Sequence, residues 1–285
     1  MRILITGSKG QLGNEIRVLA PAYPDFEFQY TDVAELDITN LQDVKNWFDS
    51  NKPEVIINCA AYTAVDKAES DESATFLINA TAVENLARSA TGIDALMVHV
   101  STDYVFDGRS FTPYCETDPT NPQSVYGRSK LAGEEAVRQY ATKAIILRTS
   151  WLYSAFGNNF VKTMIKFGKE REELNVVFDQ IGTPTYARDL AKAILDIIPS
   201  SLQFGGTELF HYSNEGVASW FDFAKTVIDN TPVTCKINPI LTRDYPSPAH
   251  RPIFSVLNKS KIKETFKITI PYWRDSVIDC IERIK

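Results

Sequence analysis

The segment "RILITGSKGQLG", residues 2–13, predicts a strand, a glycine-rich turn and a helix. The apolar run at 2–6 predicts a strand that ends at Gly7, and the segment after Gly10 has helical spacing. Gly7, Gly10 and Gly13 therefore lie between a predicted strand and a predicted helix. Glycines allow a tight turn and a close backbone approach, and a helix N-terminus offers free amides to a pyrophosphate. The stretch favours a dinucleotide-binding turn over glycines that only make a loop.

Strands and helices alternate from this point onward. Further apolar runs predict strands at 26–32, 54–61, 95–102 and 144–150. Amphipathic segments predict the helices, at 41–51, about 72–90 and about 124–140. Thr39 or Asn40 is the expected cap of the first of these helices. This alternation indicates right-handed crossovers in a parallel sheet.

The predicted fold class is α/β, a Rossmann-like doubly wound parallel sheet with a smaller C-terminal substrate-binding lobe. We expect the Rossmann domain at residues 1–152, with the chain returning to it at about 176–215. The smaller lobe takes residues 153–175 and 216–285, where loops rich in proline follow a helix capped by Ser219.

Composition narrows the function classes. The chain has 285 residues, 44% of them hydrophobic, and a net charge of -6 without a basic run, which argues against nucleic acid as a partner. The four cysteines lack CxxC spacing, as expected of reduced thiols in the cytoplasm. The three histidines are far apart, which argues against a histidine-rich metal site. The apolar run at the start is too short for a signal-peptide core or a membrane span. We therefore expect a cytoplasmic enzyme or binding protein.

Asp32 follows the second predicted strand. An acid at this position of a dinucleotide-binding unit accepts a hydrogen bond from the adenosine ribose. A turn-initiating aspartate is the alternative. Together with the glycine-rich turn, Asp32 favours a dinucleotide site.

"SVYGRSKLAG", residues 124–133, places Tyr126 four residues before Lys130, on one face of a predicted helix. A free phenol has a pKa of ~10, and a neighbouring cation favours its ionised form. The spacing is common by chance, so an exposed aromatic and a solvated charge are the alternative. "VSTDYVFDG", residues 100–108, ends another strand, and Thr102 in it could hold a substrate oxygen while Tyr126 supplies a proton.

The ordered set of motifs resembles the extended short-chain dehydrogenases/reductases, and among them the dTDP-4-dehydrorhamnose reductase family over nearly the whole chain. The motifs are "GSKGQLG", "NCAAYTAVDKAE", "STDYVFDG", "VYGRSKLAGE", "RTSWLY", "GNNFVKTM", "DQIGTPT" and "SPAHRP". The resemblance implies reduction of the 4-keto group of dTDP-4-dehydro-β-L-rhamnose to dTDP-β-L-rhamnose with NADPH or NADH. It also implies that Tyr126 donates the proton, that Lys130 grips the nicotinamide ribose and lowers the tyrosine pKa, and that Thr102 polarises the keto oxygen.

The resemblance implies further site residues. Those expected at the cofactor are Gly7, Gly10, Gln11, Leu12, Gly13, Asp32, Asp37, Ala60, Ala61, Tyr62, Tyr126 and Lys130. Those expected at the nucleotide sugar are Val65, Thr102, Asp103, Trp151, Asn159 and Arg251. Arg251 would meet the diphosphate, with a surface arginine as the alternative, and Trp151 has a core position as its alternative.

Some members of this family are homodimers bridged by magnesium through acidic residues. Glu15 matches one such acid and Asp189 is a candidate for another. An exposed position on the first helix is the favoured interpretation of Glu15, so no metal is assigned from the sequence.

One residue argues against nucleotide-sugar dehydration. The run Thr102-Asp103-Tyr104 replaces the Thr-Asp-Glu of nucleotide-sugar dehydratases, and tyrosine cannot act as the carboxylate base, which disfavours dehydration. Two other functions stay open. One is that of another nucleotide-sugar epimerase or reductase. The other is a non-catalytic dinucleotide-binding subunit resembling the regulatory subunit of methionine adenosyltransferase, although the complete triad limits its relevance.

Overall fold

The computed structural model describes residues 1–284. Its strands, in chain order, are β1 (Arg2–Thr6), β2 (Glu27–Tyr30), β3 (Val55–Asn58), β4 (Leu96–Thr102), β5 (Lys143–Thr149), β6 (Leu152–Tyr153), β7 (Glu173–Val177), β8 (Ile181–Gly182), β9 (Thr185–Tyr186), β10 (Gly206–His211), β11 (Ala218–Ser219) and β12 (Lys236–Ile240).

The helices alternate with the strands from β1 to β5, as predicted, whereas several later strands follow one another with no helix between them. They are α1 (Gln11–Leu19), α2 (Leu41–Asn51), α3 (Val65–Ala68), α4 (Glu72–Phe76), α5 (Ala82–Gly92), α6 (Val125–Tyr140), α7 (Phe160–Glu170), α8 (Ala187–Ser201), α9 (Trp220–Asp229), α10 (Ser260–Phe266) and α11 (Trp273–Arg283). Within residues 1–284, no helix combines the length and the apolar character needed to cross a bilayer.

The central sheet has six strands in the order β10-β5-β4-β3-β1-β2, and every neighbouring pair is parallel. The sheet grows outward in opposite directions from β1 and β3. The carboxyl ends of these two strands therefore form the switch point at which open α/β sheets bind ligands. The predicted doubly wound α/β fold is confirmed.

Each face of the sheet buries its own core. Ile3 and Ile5 of β1 pack in a cluster with residues of α1 and α8, whereas Leu4 packs in a second cluster with residues of α2 and α5. Successive side chains of a strand point to opposite faces. Because both faces are covered, the strands read as continuous apolar runs rather than alternating ones.

The helix caps follow the predicted chemistry. Asn40 caps α2 through the backbone amides of Gln42 and Asp43. Ser219 and Asp222 form a reciprocal capping box at α9. Ser124 caps α6, the helix that carries the Tyr126–Lys130 pair, by accepting a hydrogen bond from Gly127 N–H.

The single helix predicted at 72–90 is interrupted. A π-helical turn, Leu77–Thr81, separates α4 from α5. The Asn79 side chain in this turn accepts a hydrogen bond from the Tyr62 N–H and donates one to the Tyr62 carbonyl. It also donates to the Ser129 hydroxyl at 3.0 Å. The π turn thus places one amide side chain between a pocket loop and α6, which periodicity alone does not reveal.

A second group of elements packs around its own aromatic core. Tyr153, Phe223 and Trp273 belong to this cluster, and β7 pairs in parallel with β12. This group corresponds to the smaller lobe expected from the sequence. Its boundaries stay a prediction, and β7 (Glu173–Val177) spans the return to the larger domain that is expected at about 176.

Candidate active site

A cavity of about 500 Å³ lies at the carboxyl ends of β1, β3, β4 and β5. Much of its wall comes from residues that the sequence predicted at the site. These are Gly10, Gln11, Leu12, Ala60, Ala61, Val65, Thr102, Asp103, Tyr126, Lys130, Trp151 and Asn159.

The glycine-rich turn leaves no room for side chains. Gly7 has φ +61°, and a Cβ on it would lie 2.7 Å from Ala60 Cα. A Cβ on Gly13 would lie 2.5 Å from Ser8 Cα. Gly10 precedes α1 without any side-chain cap, so the first turn of this helix meets the cavity without a capping side chain. The turn therefore fits the pyrophosphate of a dinucleotide.

Five residues expected at the cofactor lie outside the cavity wall, namely Gly7, Gly13, Asp32, Asp37 and Tyr62. The Asp32 carboxylate accepts hydrogen bonds from the backbone N–H of Lys9 at 3.1 Å and of Val33 at 2.9 Å. Asp32 thus ties the end of β2 to the glycine-rich turn. Asp37 accepts from its neighbour Thr39, and the Tyr62 hydroxyl donates to Asp71. Their contacts with a cofactor stay predictions.

The predicted triad meets at one wall of the cavity. Thr102 ends β4, and Tyr126 and Lys130 lie on α6. The Lys130 ammonium donates to the Val100 carbonyl at 2.7 Å. The Thr102 hydroxyl donates to Asp103 at 3.0 Å and accepts from the Tyr104 N–H at 3.2 Å.

Burial dominates the ionisation of the triad. It raises the pKa of Tyr126 to about 12, helped by the charge of Asp103 and opposed by the Thr102 hydroxyl. The pKa of Tyr126 is thus raised, not lowered as the resemblance implied, and Tyr126 is a protonated phenol at neutral pH. Burial also lowers the pKa of Lys130 to about 8, against the opposing charge of Glu134.

Asp103 is a buried carboxylate in the same wall. Its side chain is 2% exposed, and its Oδ2 is buried without a protein partner. Burial raises the pKa of Asp103 to about 6, opposed by the nearby Ser255 hydroxyl and by the hydrogen bond from Thr102.

Trp151 lies in the cavity wall with an unusual backbone conformation. Its φ is +47°, in the left-handed region. Its ring stacks on Trp220, with centroids 3.7 Å apart and planes 11° from parallel. Trp151 also packs on Gly182, where a Cβ would lie 2.7 Å from the indole. This packing holds a strained residue in place at the site.

A second cavity, of about 260 Å³, adjoins the smaller lobe and shares Trp220 with the first cavity. Arg251 lines this second cavity rather than the first. The second cavity is lined by Phe160, Met164, Asn175, Val176, Val177, Gln180, Trp220, Tyr245 and Arg251.

Arg251 is not the free surface side chain of the alternative interpretation. Its side chain is 24% exposed, and it forms a two-point ion pair with Asp66 at 3.0 and 2.6 Å. The pair joins the smaller lobe to α3 of the larger domain.

Asn159, which is expected at the nucleotide sugar, also contacts the glycine-rich turn. It caps α7, and its amide donates to Gln11 Oε1 at 3.0 Å and to the Ser154 carbonyl at 2.7 Å. Asn159 therefore ties the loop before α7 to the glycine-rich turn.

The expectation that Glu15 is exposed was wrong. Glu15 is 1% exposed, accepts a hydrogen bond from Ser154 at 2.6 Å and lies 3.6 Å from Arg188. Asp189 accepts from Asn214 and Ser276. Across residues 1–284 no three His, Cys, Asp or Glu side chains come together as metal ligands. A magnesium ion held by Glu15 and Asp189 at a dimer interface stays a prediction.

Sequence reasoning missed three residues near these cavities. Asp66 directly follows Val65 in the quoted "NCAAYTAVDKAE" motif, which was the available signal. Trp220 begins the helix capped by Ser219, and no quoted motif contains it. Glu134 lies one turn after Lys130, and that i, i+4 spacing marks a neighbour on the same helix face.

Comparison with known proteins gives a consistent picture. The family model described as the RmlD substrate binding domain matches residues 1–285. A dTDP-4-dehydrorhamnose reductase from Aggregatibacter actinomycetemcomitans is 42% identical over 287 residues, covering 96% of this chain and 96% of that protein.

Solved structures of similar proteins extend this picture to three dimensions. A dTDP-4-dehydrorhamnose reductase from Clostridium acetobutylicum superposes with a TM-score of 0.94 at 44% identity, over 99% of both chains. Another, from Bacillus anthracis and in complex with NADP, superposes with a TM-score of 0.93 at 39% identity, covering 99% of this chain and 98% of that chain.

Proposed function

This chain belongs to the RmlD substrate-binding family, in which similar proteins are dTDP-4-dehydrorhamnose reductases, and we propose that it is an NAD(P)H-dependent reductase of the same kind. It reduces the 4-keto group of dTDP-4-dehydro-β-L-rhamnose to the hydroxyl of dTDP-β-L-rhamnose. This reaction is the final step in the synthesis of that sugar donor.

One observation carries the proposal. Thr102, Tyr126 and Lys130 line the same cavity as the glycine-rich turn, so a proton donor and a dinucleotide site face one space. A keto reduction needs these two parts together, because the product alcohol gains one hydride on carbon and one proton on oxygen.

NADPH or NADH supplies the hydride when bound. Gly10, Gln11 and Leu12 would hold the pyrophosphate, and Ala60 and Ala61 would line the passage between the two ends of the cofactor. The Lys130 ammonium would hold the nicotinamide ribose. Its present bond to the Val100 carbonyl uses one of its three N–H donors and leaves two for ligands.

The proton comes from Tyr126. Because burial keeps this phenol protonated at neutral pH, it can deliver a proton to the C4 oxygen as negative charge develops there. Thr102 would donate to the same oxygen once its hydroxyl turns from Asp103. The Asp103 carboxylate would accept a hydrogen bond from a sugar hydroxyl.

The two cavities divide the nucleotide sugar between them. The sugar would lie beside Thr102 and Trp151 in the first cavity. The thymidine would occupy the second cavity, whose aromatic and amide side chains suit a base. Trp220 lines both cavities, so the diphosphate would pass beside it and meet Arg251.

The test is a turnover assay of the purified chain with dTDP-4-dehydro-β-L-rhamnose, run in parallel with NADPH and NADH. We expect loss of the nicotinamide absorbance and one dTDP-β-L-rhamnose formed per cofactor oxidised. A regulatory subunit would bind the cofactor without consuming it. An epimerase would change the sugar without net cofactor oxidation, and either result would replace the proposal.

A homodimer, a cytoplasmic location and the division into residues 1–152 with 176–215 against 153–175 with 216–285 are part of the same proposal. Size-exclusion chromatography with light scattering measures the oligomeric state directly.

A further inference from the structure

The Asp66 carboxylate gathers three hydrogen bonds from one short segment of the smaller lobe. Arg251 donates to it through Nη1 at 3.0 Å and Nη2 at 2.6 Å, and the backbone N–H of Ala249 donates at 3.3 Å. Asp66 lies at the start of α3, in the larger domain. One side chain therefore fixes the loop at 249–251 against the other part of the molecule.

The pair lies where the two cavities adjoin. Val65, the neighbour of Asp66, lines the first cavity, and Arg251 lines the second. Tyr104 lies in the wall of the first cavity, and the charges of Arg251 and Asp66 both act on its phenol. The pair is thus next to the passage through which a nucleotide sugar would connect the two cavities.

Pairing leaves Arg251 with binding capacity. A guanidinium has five N–H donors, and the bonds to Asp66 use two of them. The other three can meet phosphate oxygens. An arginine that is already ordered loses less conformational freedom when a ligand arrives than one that is mobile.

We propose that Asp66 is a positioning residue, which holds Arg251 at the junction of the two cavities so that its remaining donors meet the diphosphate of the nucleotide sugar. This inference rests on the proposed function, because it uses the same ligand. It assigns to Asp66 an effect on nucleotide affinity that acts through Arg251 alone.

A competing role makes the opposite prediction. If Asp66 occupied Arg251 in place of the phosphate, the ligand would have to break the ion pair, and removing the carboxylate charge would tighten binding. The direction of the affinity change therefore separates positioning from competition.

The experiment compares Asp66→Asn and Asp66→Glu with a matched control. Asp94→Asn is the control, because Asp94 forms a 2.6 Å ion pair with Lys143 and neither residue lines a cavity described above. Calorimetry measures the Kd of dTDP, of thymidine and of NADPH, and steady-state kinetics gives KM and kcat for the nucleotide sugar.

We expect Asp66→Asn to weaken dTDP binding and raise KM by about tenfold, as for coupled neighbours. Thymidine and NADPH binding, kcat at saturation and the control should stay near wild type. Asp66→Glu should recover part of the loss. Tighter dTDP binding, or an equal loss for thymidine and NADPH, would overturn the proposal.

A double mutant tests whether Asp66 acts through Arg251. In an Arg251→Ala background, Asp66→Asn should have no further effect on dTDP affinity. An undiminished effect there would overturn the positioning role. Failure of the proposed function looks different, since wild-type protein would then bind dTDP or NADPH without turning over the keto sugar.

Discussion

The Glu134 carboxylate and the Arg148 guanidinium form a buried two-point ion pair beside the triad, with both N–O distances at 2.8 Å. Their side chains are 0% and 2% exposed. Ser101 also donates to Glu134, at 2.6 Å. Because Glu134 lies one helical turn after Lys130, this pair fixes α6 to the ends of β4 and β5, where the triad is assembled.

Breaking this ion pair should cost stability. Glu134→Gln leaves the buried Arg148 charge without its counter-charge, and such a loss costs about 3–5 kcal/mol. Urea denaturation measures the free energy of unfolding. The exposed pair of Asp94 and Lys143 is the control, and Asp94→Asn should change stability little. A Glu134→Gln protein as stable as wild type would show that the pair contributes nothing net.

Removing the Tyr126 hydroxyl should slow turnover and leave the cofactor bound. Tyr126→Phe keeps the ring but removes the proton donor, and general acid catalysis is worth about 10²–10⁴ in rate. Stopped-flow kinetics gives kcat, and fluorescence titration gives the Kd of NADH. Lys130→Met should lower both turnover and NADH affinity, and Thr102→Val should lower kcat more than stability. Activity of Tyr126→Phe within about threefold of wild type, or ~0.65 kcal/mol, would reject the catalytic role.

Asp103 should make the protein less stable as the pH rises from about 4 to about 6. Its pKa of about 6 lies above the ordinary aspartate value of 3.8, so in this window the native state binds more protons than the unfolded state. The penalty is complete above pH 6 and is on the order of 2–3 kcal/mol.

Asp103→Asn removes this titration. Urea denaturation of wild type and variant between pH 4 and 7 should therefore give curves that diverge as the pH rises, with the variant gaining. Other carboxylates titrate in both proteins, so the difference isolates Asp103. Parallel curves would place the pKa of Asp103 near its ordinary value.

Asp32 should make NADH at least as good a substrate as NADPH. An acid that accepts from the adenosine 2′-hydroxyl repels a 2′-phosphate. In the structure this carboxylate also holds the Lys9 N–H, so it is already fixed beside the glycine-rich turn. Comparing kcat/KM for the two cofactors tests this, with Asp32→Ala as the variant that should favour NADPH. A strong NADPH preference that Asp32→Ala leaves unchanged would contradict it.

Arg251→Ala should raise KM for the nucleotide sugar and leave NADH binding near normal. A lost charge-assisted hydrogen bond to a phosphate is worth roughly 1.5–3 kcal/mol, about ten- to a hundredfold. The kinetic assay measures KM at saturating NADH. Unchanged sugar affinity would leave Arg251 with only its structural link to Asp66.

The sequence predicted the features that depend only on neighbouring residues. The strands of the sheet, the Asn40 and Ser219 caps and the glycine-rich turn all follow from side-chain periodicity and backbone freedom, which operate within a few residues. The motif set also named most of the cavity wall. These features need no knowledge of distant partners.

Other features depend on contacts between distant parts of the chain. Glu15 is buried and accepts a hydrogen bond from Ser154, 139 residues later. Arg251 forms an ion pair with Asp66, which lies 185 residues earlier in the chain. The π turn forms where Asn79 reaches Tyr62 and α6. None of these pairings leaves a periodic signal, so the sequence could suggest candidates but not their partners.

The stacked indoles of Trp151 and Trp220 are an intrinsic spectroscopic probe of ligand binding. They are two of only four tryptophans in the chain; both line the first cavity, and Trp220 also lines the second. Two parallel rings in contact couple their electronic transitions, and near-ultraviolet circular dichroism reads such fixed aromatic packing. A nucleotide or cofactor entering either cavity alters the surroundings of the same pair, so ligand occupancy can be followed spectroscopically in the unmodified chain.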